Sequence, residues 1–262
     1  MSTRAHLSMI HTAMTAAGAT YPKAVAKALE DAEKLPAAVV ALAAPTADDM
    51  AAAVVDCLNA GRDPLDDEHV RRLTTATVLA GPSGNALTNG VTRAAERHVV
   101  AALTAEADAL LATFGAAVAE AGATLTAAWR ILGDLELTDS TAVLRMGPDA
   151  SRAWTDALDA QKRIRALDGG WFGLAEATRF ASSTDAPTLR LADLSLEQFE
   201  KLGRKAEPWA IVRAGVTIEL ADRESIRARV DRLETERNAR ENEHAERFTN
   251  EYRRKHVAIV KA

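Results

Sequence analysis

Six histidines, one cysteine and a scatter of carboxylates are the raw material for chemistry in this 262-residue chain. Metal-dependent hydrolysis on a helix calls for a His-Glu-x-x-His pair, and His6, His11, His69, His98, His244 and His256 make none. Glu241 and His244 form one Glu-x-x-His. A two-metal carboxylate bundle needs a second copy and further carboxylates on facing helices, so this pair reads as part of a solvated face. The segment GPSGNALTNG, residues 81 to 90, invites comparison with a phosphate-cradling loop. It lacks the Gly-Lys-Ser/Thr ending, the preceding strand and the GxGxxG spacing, and reads instead as a break between helices. Ser83 lacks the Gly-x-Ser-x-Gly frame of a nucleophile elbow. The acidic clusters at 47–49 and 65–69 stand at helix starts, where carboxylates offset unsatisfied N–H groups. No catalytic, metal or cofactor residue is assigned, and the expectation is a protein that is not an enzyme.

Composition narrows the alternatives. A net charge of −5 with both signs mixed throughout argues against a protein built to coat nucleic acid. Arg71, Arg72, Arg93 and Arg97 flank a helix-break-helix around 66–98, which keeps a DNA-binding regulator as the runner-up, beside an enzyme of unrecognised family. The lone Cys57 has no internal partner for a disulfide and sits among apolar helix formers as a small buried side chain. The N-terminus carries no long apolar run after its charge, so no signal peptide is read and a cytoplasmic location is expected. Residues 109 to 129 are long enough to span a bilayer, but they are mostly Ala, Gly and Thr and carry Glu120, so no membrane span is expected.

These residues must be positioned by helices. Residues 1–133 read as an Ala-rich helical bundle: Pro22 opens one helix and Pro36 follows it, Thr46 caps a second that Gly61 stops, and a third runs from about 66 to 80. From about 92 to 132 the apolar residues repeat every eleven positions. Val99, Leu110, Ala121 and Leu132 form one file, Leu103, Phe114 and Leu125 another, and Ala107, Val118 and Trp129 a third. That period predicts one nearly straight helix with a continuous apolar stripe, in which Gly115 and Gly122 admit close approach of another backbone.

Residues 134–221 read as a compact α+β module. Short alternating patterns occur in DLELTD, TAVLRM, TLRLA and WAIVRAGVTIELA, and six of the eleven aromatic residues fall here. Within it, LDGGWFGLAEATRF places Gly169 and Gly170 as a helix stop, with Trp171 and Phe172 as core anchors. Residues 222–262 form a third regime, an extended charged helix or arm capped by Asp222. Ile226, Val230 and Leu233 begin an apolar stripe that fails at Arg237, Glu241 and His244 and resumes at Phe248 and Tyr252. The polar section pairs Glu236 with Arg240 and Glu243 with Arg247 at the i,i+4 spacing of an exposed helix. The end, with Ile259 and Val260, is expected to leave the helix as a strand.

Trp171-Phe172-Gly173 between two helices resembles the Trp-x-Gly motif of a family of small secreted helical hairpins. The likeness covers three residues and the helix before them, and no Tyr-x-x-x-Asp/Glu signal follows at Tyr21 or Tyr252, so that family's function is not carried over. The Ala- and Arg-rich composition and the layout resemble structural or morphogenesis proteins of bacteriophages of high-GC hosts, which would place the chain in a virion. The fold expected is therefore mainly α, and the function expected is structural. It would self-associate, or join other subunits of a larger particle, through Ile226, Val230, Leu233, Phe248, Tyr252, Ile259 and Val260, with no cofactor.

Overall fold

The computed structural model describes the backbone of residues 3–40, 45–80, 82–181 and 186–260, with side chains over the same residues except 36–40, 79–80, 82–87 and 250–260. Among these residues there are twelve helices and no strand. The chain divides into two compact units: residues 21–106, and residues 1–20 together with 107–262. In this division the chain parts at 106/107, inside the eleven-residue repeat, and the first helix belongs with the C-terminal unit.

The 21–106 unit holds α2 (Lys23–Val40), α3 (Ala47–Asn59), α4 (Glu68–Ala80) and α5 (Pro82–Ala105). Local caps set its boundaries. Thr46 and Asp49 form a reciprocal capping box at the start of α3, and the Asp67 carboxylate accepts from the backbone N–H of His69 at 2.9 Å and of Val70 at 3.2 Å. Gly61 sits at φ 67°, a left-handed turn that costs a glycine little. α2 continues through Pro36 instead of ending before it. α5 packs on α2 and α4 and buries Val99 and Leu103, while Ala53, Cys57 and Val70 form a small core between α3 and α4.

The larger unit is built on α1 (Thr3–Ala17), α6 (Ala107–Leu132) and α8 (Pro148–Thr178), with α7 (Ser140–Met146) against α8. The stripe expected to run unbroken from 92 is interrupted at Glu106. Its second part, Ala107, Leu110, Phe114, Val118, Ala121, Leu125 and Leu132, is buried along α6, which packs on α8 and α1.

The predicted helix stop at Gly169-Gly170 does not occur, because α8 runs through both glycines and on to Thr178. Sterics explain their presence. A Cβ on Gly170 would lie 2.1 Å from the Cβ of Ala13, and one on Gly173 would lie 2.8 Å from the carbonyl oxygen of His6. These glycines let α1 approach the backbone of α8 closely. The helix ends instead at Arg179, which adopts a left-handed conformation with φ 58°.

The predicted α+β module is all helical where it is ordered into elements. TAVLRM lies in α7, whose first turn is capped by Asp139, TLRLA lies in and just after α9 (Pro187–Leu191), and WAIVR lies in α11 (Pro208–Arg213), after α10 (Leu196–Leu202). Four consecutive residues, Thr188 to Leu191, are all buried, so alternation in TLRLA does not separate an inside from an outside. After a turn at Ala214-Gly215 the chain is extended, and there the alternation is real: Ile218 and Leu220 point inward while Thr217 and Glu219 are exposed. It finds a helix face instead of a partner strand. Ile218 packs so closely on Gly122 of α6 that a Cβ there would meet it at 3.2 Å. Three tryptophans tie such connections down by donating their indole N–H to backbone oxygens: Trp154 to Leu137 (2.8 Å), Trp209 to Leu135 (2.9 Å) and Trp171 to Ala221 (2.6 Å).

Candidate functional site: the C-terminal arm and its anchorage

The last helix, α12 (Arg223–Val260), is 38 residues long, and its function depends on which part of it is already occupied by this chain. Its platform begins in the interior of α8. Trp171 is 1% exposed, and the ring of Phe180 meets it edge-on at 5.3 Å. The Arg190 guanidinium lies 5.3 Å from the Trp171 ring centre and 5.7 Å from that of Phe172, and it binds the Asp168 carboxylate through two parallel hydrogen bonds of 2.6 and 2.8 Å. Such a fork-to-fork pair between a buried guanidinium and a nearly buried carboxylate fixes direction as well as distance. Arg190 also offers its backbone oxygen to the N–H of Ala221 at 2.7 Å, and Leu191 offers its own to Glu219 at 2.8 Å. These bonds hold the extended 216–222 segment that leads into α12.

Asp222 caps α12 as its position predicts, accepting from the backbone N–H of Ser225 at 2.8 Å and of Glu224 at 3.1 Å. The Ser225 hydroxyl and amide together hold the Asp222 carboxyl below its ordinary range. From there a row of charged side chains at helical spacing bonds the helix to residues 189–200. Arg229, 4% exposed, donates to the backbone oxygens of Leu189 at 3.0 Å and Glu219 at 3.2 Å. Burial pushes its guanidinium below its usual value, opposed by the Glu219 carboxylate 3.5 Å away. Arg232 grips the Asp193 carboxylate, which it lowers, and donates to the backbone oxygen of Leu194 at 2.9 Å. Glu236 accepts from the Leu196 N–H at 2.8 Å, and Arg240 reaches Glu200 at 2.7 Å. The expected Glu236–Arg240 pair is therefore replaced by contacts to other elements, whereas Glu243–Arg247 forms at 3.5 Å.

Ile226 and Leu233 are each 3% exposed, buried within their own unit, and Val230 lines a cavity of about 230 Å³ with Leu189, Phe199 and Leu233. Beyond them the character of the helix changes. Every residue from Arg237 to Thr249 is exposed, and Phe248 is 66% exposed. The helical backbone continues to Val260, so the expected departure as a strand does not occur there; the side chains of Tyr252, Ile259 and Val260 lie outside the described residues. The sequence thus located the start of the arm at Asp222 but missed Asp168, Arg190 and Arg229. Arg229 alone left a trace, falling three residues after Ile226 and four before Leu233 on the apolar side of the helix.

Other candidate sites bring less together. No group of three or more His, Cys, Asp or Glu side chains able to hold a metal occurs among the described residues. Arg71 pairs with Asp66 at 3.2 Å and Arg72 with Glu68 at 2.5 Å, so both are engaged by carboxylates of their own turn and loop. Cys57 is 1% exposed and donates to the Arg62 carbonyl at 3.5 Å, and burial raises its thiol. α6 is the one described helix long and apolar enough to cross a membrane, and it buries one face against α8 and α1. Comparison with family models, curated proteins and solved structures finds no match for this chain.

Proposed function

We propose that this chain is a non-enzymatic structural or assembly protein that associates with copies of itself, or with other subunits of a larger particle, through the distal part of α12. The observation behind this reading is the change of character within one helix: the base is locked to its own unit, while the stretch from Arg237 to Thr249 is exposed and carries the large apolar ring of Phe248. A long solvated helix gains little stability from its own i,i+4 pairs, and an aromatic side chain on it loses hydrophobic free energy until something covers it. Phe248, with Tyr252, Ile259 and Val260 further along, supplies anchors of the kind that concentrate binding energy at interfaces. A virion or a particle on the way to one is a setting in which such an arm would serve, and the cytoplasm is where it would be made.

Deletion of residues 245–262, followed by light-scattering mass in solution, tests the proposal. A full-length oligomer that becomes a monomer on deletion is the expected result. A monomeric full-length chain, or an oligomer whose number of subunits is unchanged by deletion, overturns it.

A further inference from the structure

The part of α12 beyond Glu236 is divided by charge, with Phe248 near the boundary. Between 237 and 246 the acids Glu241, Glu243 and Glu246 outnumber Arg237 and Arg240; from 247 to 255 the bases Arg247, Arg253, Arg254 and Lys255 outnumber Glu251. Arg240 is already engaged with Glu200, which leaves these three acids facing Arg237 alone in the first half. A helix with one acidic and one basic half is its own electrostatic complement, but only head to tail.

We propose that two copies of the arm pair antiparallel about a two-fold axis at Phe248, a geometry that deepens, and rests on, the self-assembly reading above. The occupant of the exposed face is therefore a second copy of this chain. Helical spacing supplies the register. Glu241, His244, Phe248, Tyr252 and Lys255 recur at intervals of three and four along the described backbone, which places them on one side of the helix. A two-fold at Phe248 brings residues equally far before and after it into apposition. Phe248 then meets Phe248, Glu241 meets Lys255 of the second copy, and symmetry repeats that ion pair on the other side. A parallel in-register pair would instead set Glu241 on Glu241 and Lys255 on Lys255, like charge on like. The overlap from 237 to 259 spans roughly 35 Å at the helical rise. A seam with one aromatic contact among charged pairs makes an association that weakens as salt rises.

The experiment is sedimentation equilibrium on the full-length chain and on Glu241→Lys, Lys255→Glu and the double variant, each checked for unchanged helicity. Each single reversal turns two facing attractions into repulsions and should raise the dimer dissociation constant about tenfold, while the double variant, which restores both pairs with their signs exchanged, should return to within about threefold of the parent. A double variant as weak as the singles, or weaker, overturns the antiparallel register while leaving self-assembly through the arm standing, provided that deletion of 245–262 still yields a monomer. A monomeric parent overturns both.

Discussion

Two stretches of α12 share a backbone and are both rich in charged side chains, yet residues 223–236 are bonded into the fold and residues 237–249 are exposed. The base places Ile226 and Leu233 inward and sends Arg229, Arg232 and Glu236 into backbone groups and a carboxylate of the 189–196 segment. The stretch from Arg237 to Thr249 presents the same residue types to solvent, with Arg240 reaching Glu200. The difference teaches that charge on a helix says little about its role until its partners are known. An arginine whose donors meet carbonyls is a structural bolt, whereas an arginine facing water is available.

Four changes would break or sharpen that contrast. Trp171→Ala should have the largest effect. It empties a fully buried site, strands the Ala221 carbonyl and removes the ring beneath Arg190, and a loss of about 3–5 kcal/mol of stability is expected from denaturant unfolding. Next, Arg229→Ala should cost about 2–4 kcal/mol, because the backbone oxygens of Leu189 and Glu219 lose their donor. Arg229→Met, which keeps the volume without the charge, should be milder; equal losses for the two would show that the guanidinium's hydrogen bonds, and not its volume, are at stake.

The third change is acidification. The carboxyls of Asp193 and Asp222 are held below their ordinary range by Arg232 and by Ser225. Their folded pKa values lie below the unfolded ones, so their contribution is present above the unfolded value near pH 4 and is lost as pH falls through the folded values. Amide hydrogen exchange should show residues 223–233 losing protection below about pH 4 before the α6–α8 core does. Simultaneous loss in both would contradict the assignment. The smallest effect on stability is expected for Phe248→Ala, within about 0.5 kcal/mol of the parent because the residue is 66% exposed. The same variant should lower the mass measured by light scattering, and an unchanged mass would remove Phe248 from the interface.

What could be read from the sequence was whatever rests on neighbours. The Asp222 cap, the cap at Thr46 and the apolar stripe begun by Ile226 and Leu233 follow from residue type and spacing, whereas of the two glycines expected to admit a close approach Gly122 does so and Gly115 has no neighbour within 4 Å. What could not be read depends on residues far apart in the chain. Gly169 and Gly170 look like a stop because glycine weakens a helix, but at Gly170 the deciding fact is the Cβ of Ala13, which only the fold brings near. The period-two pattern of 216–220 was correct about which residues turn inward and wrong about the neighbour, since a helix face can receive an extended segment as well as a strand can. Arg229 escaped because its acceptors lie 40 and 10 positions away.

The pairing of α1 with α8 has a consequence for how the chain is made. Arg163 of α8 donates to the carbonyl of Ala16 across 147 positions, and residues 21–106, which form a compact unit of their own, are synthesised in between. That intervening unit closes over short loops and can finish folding while the ribosome is still extending the chain. α1 cannot. Ile10, Ala13 and Met14, buried in the finished protein, are not fully covered until α8 has emerged, so the larger unit completes its fold after the unit encoded within it.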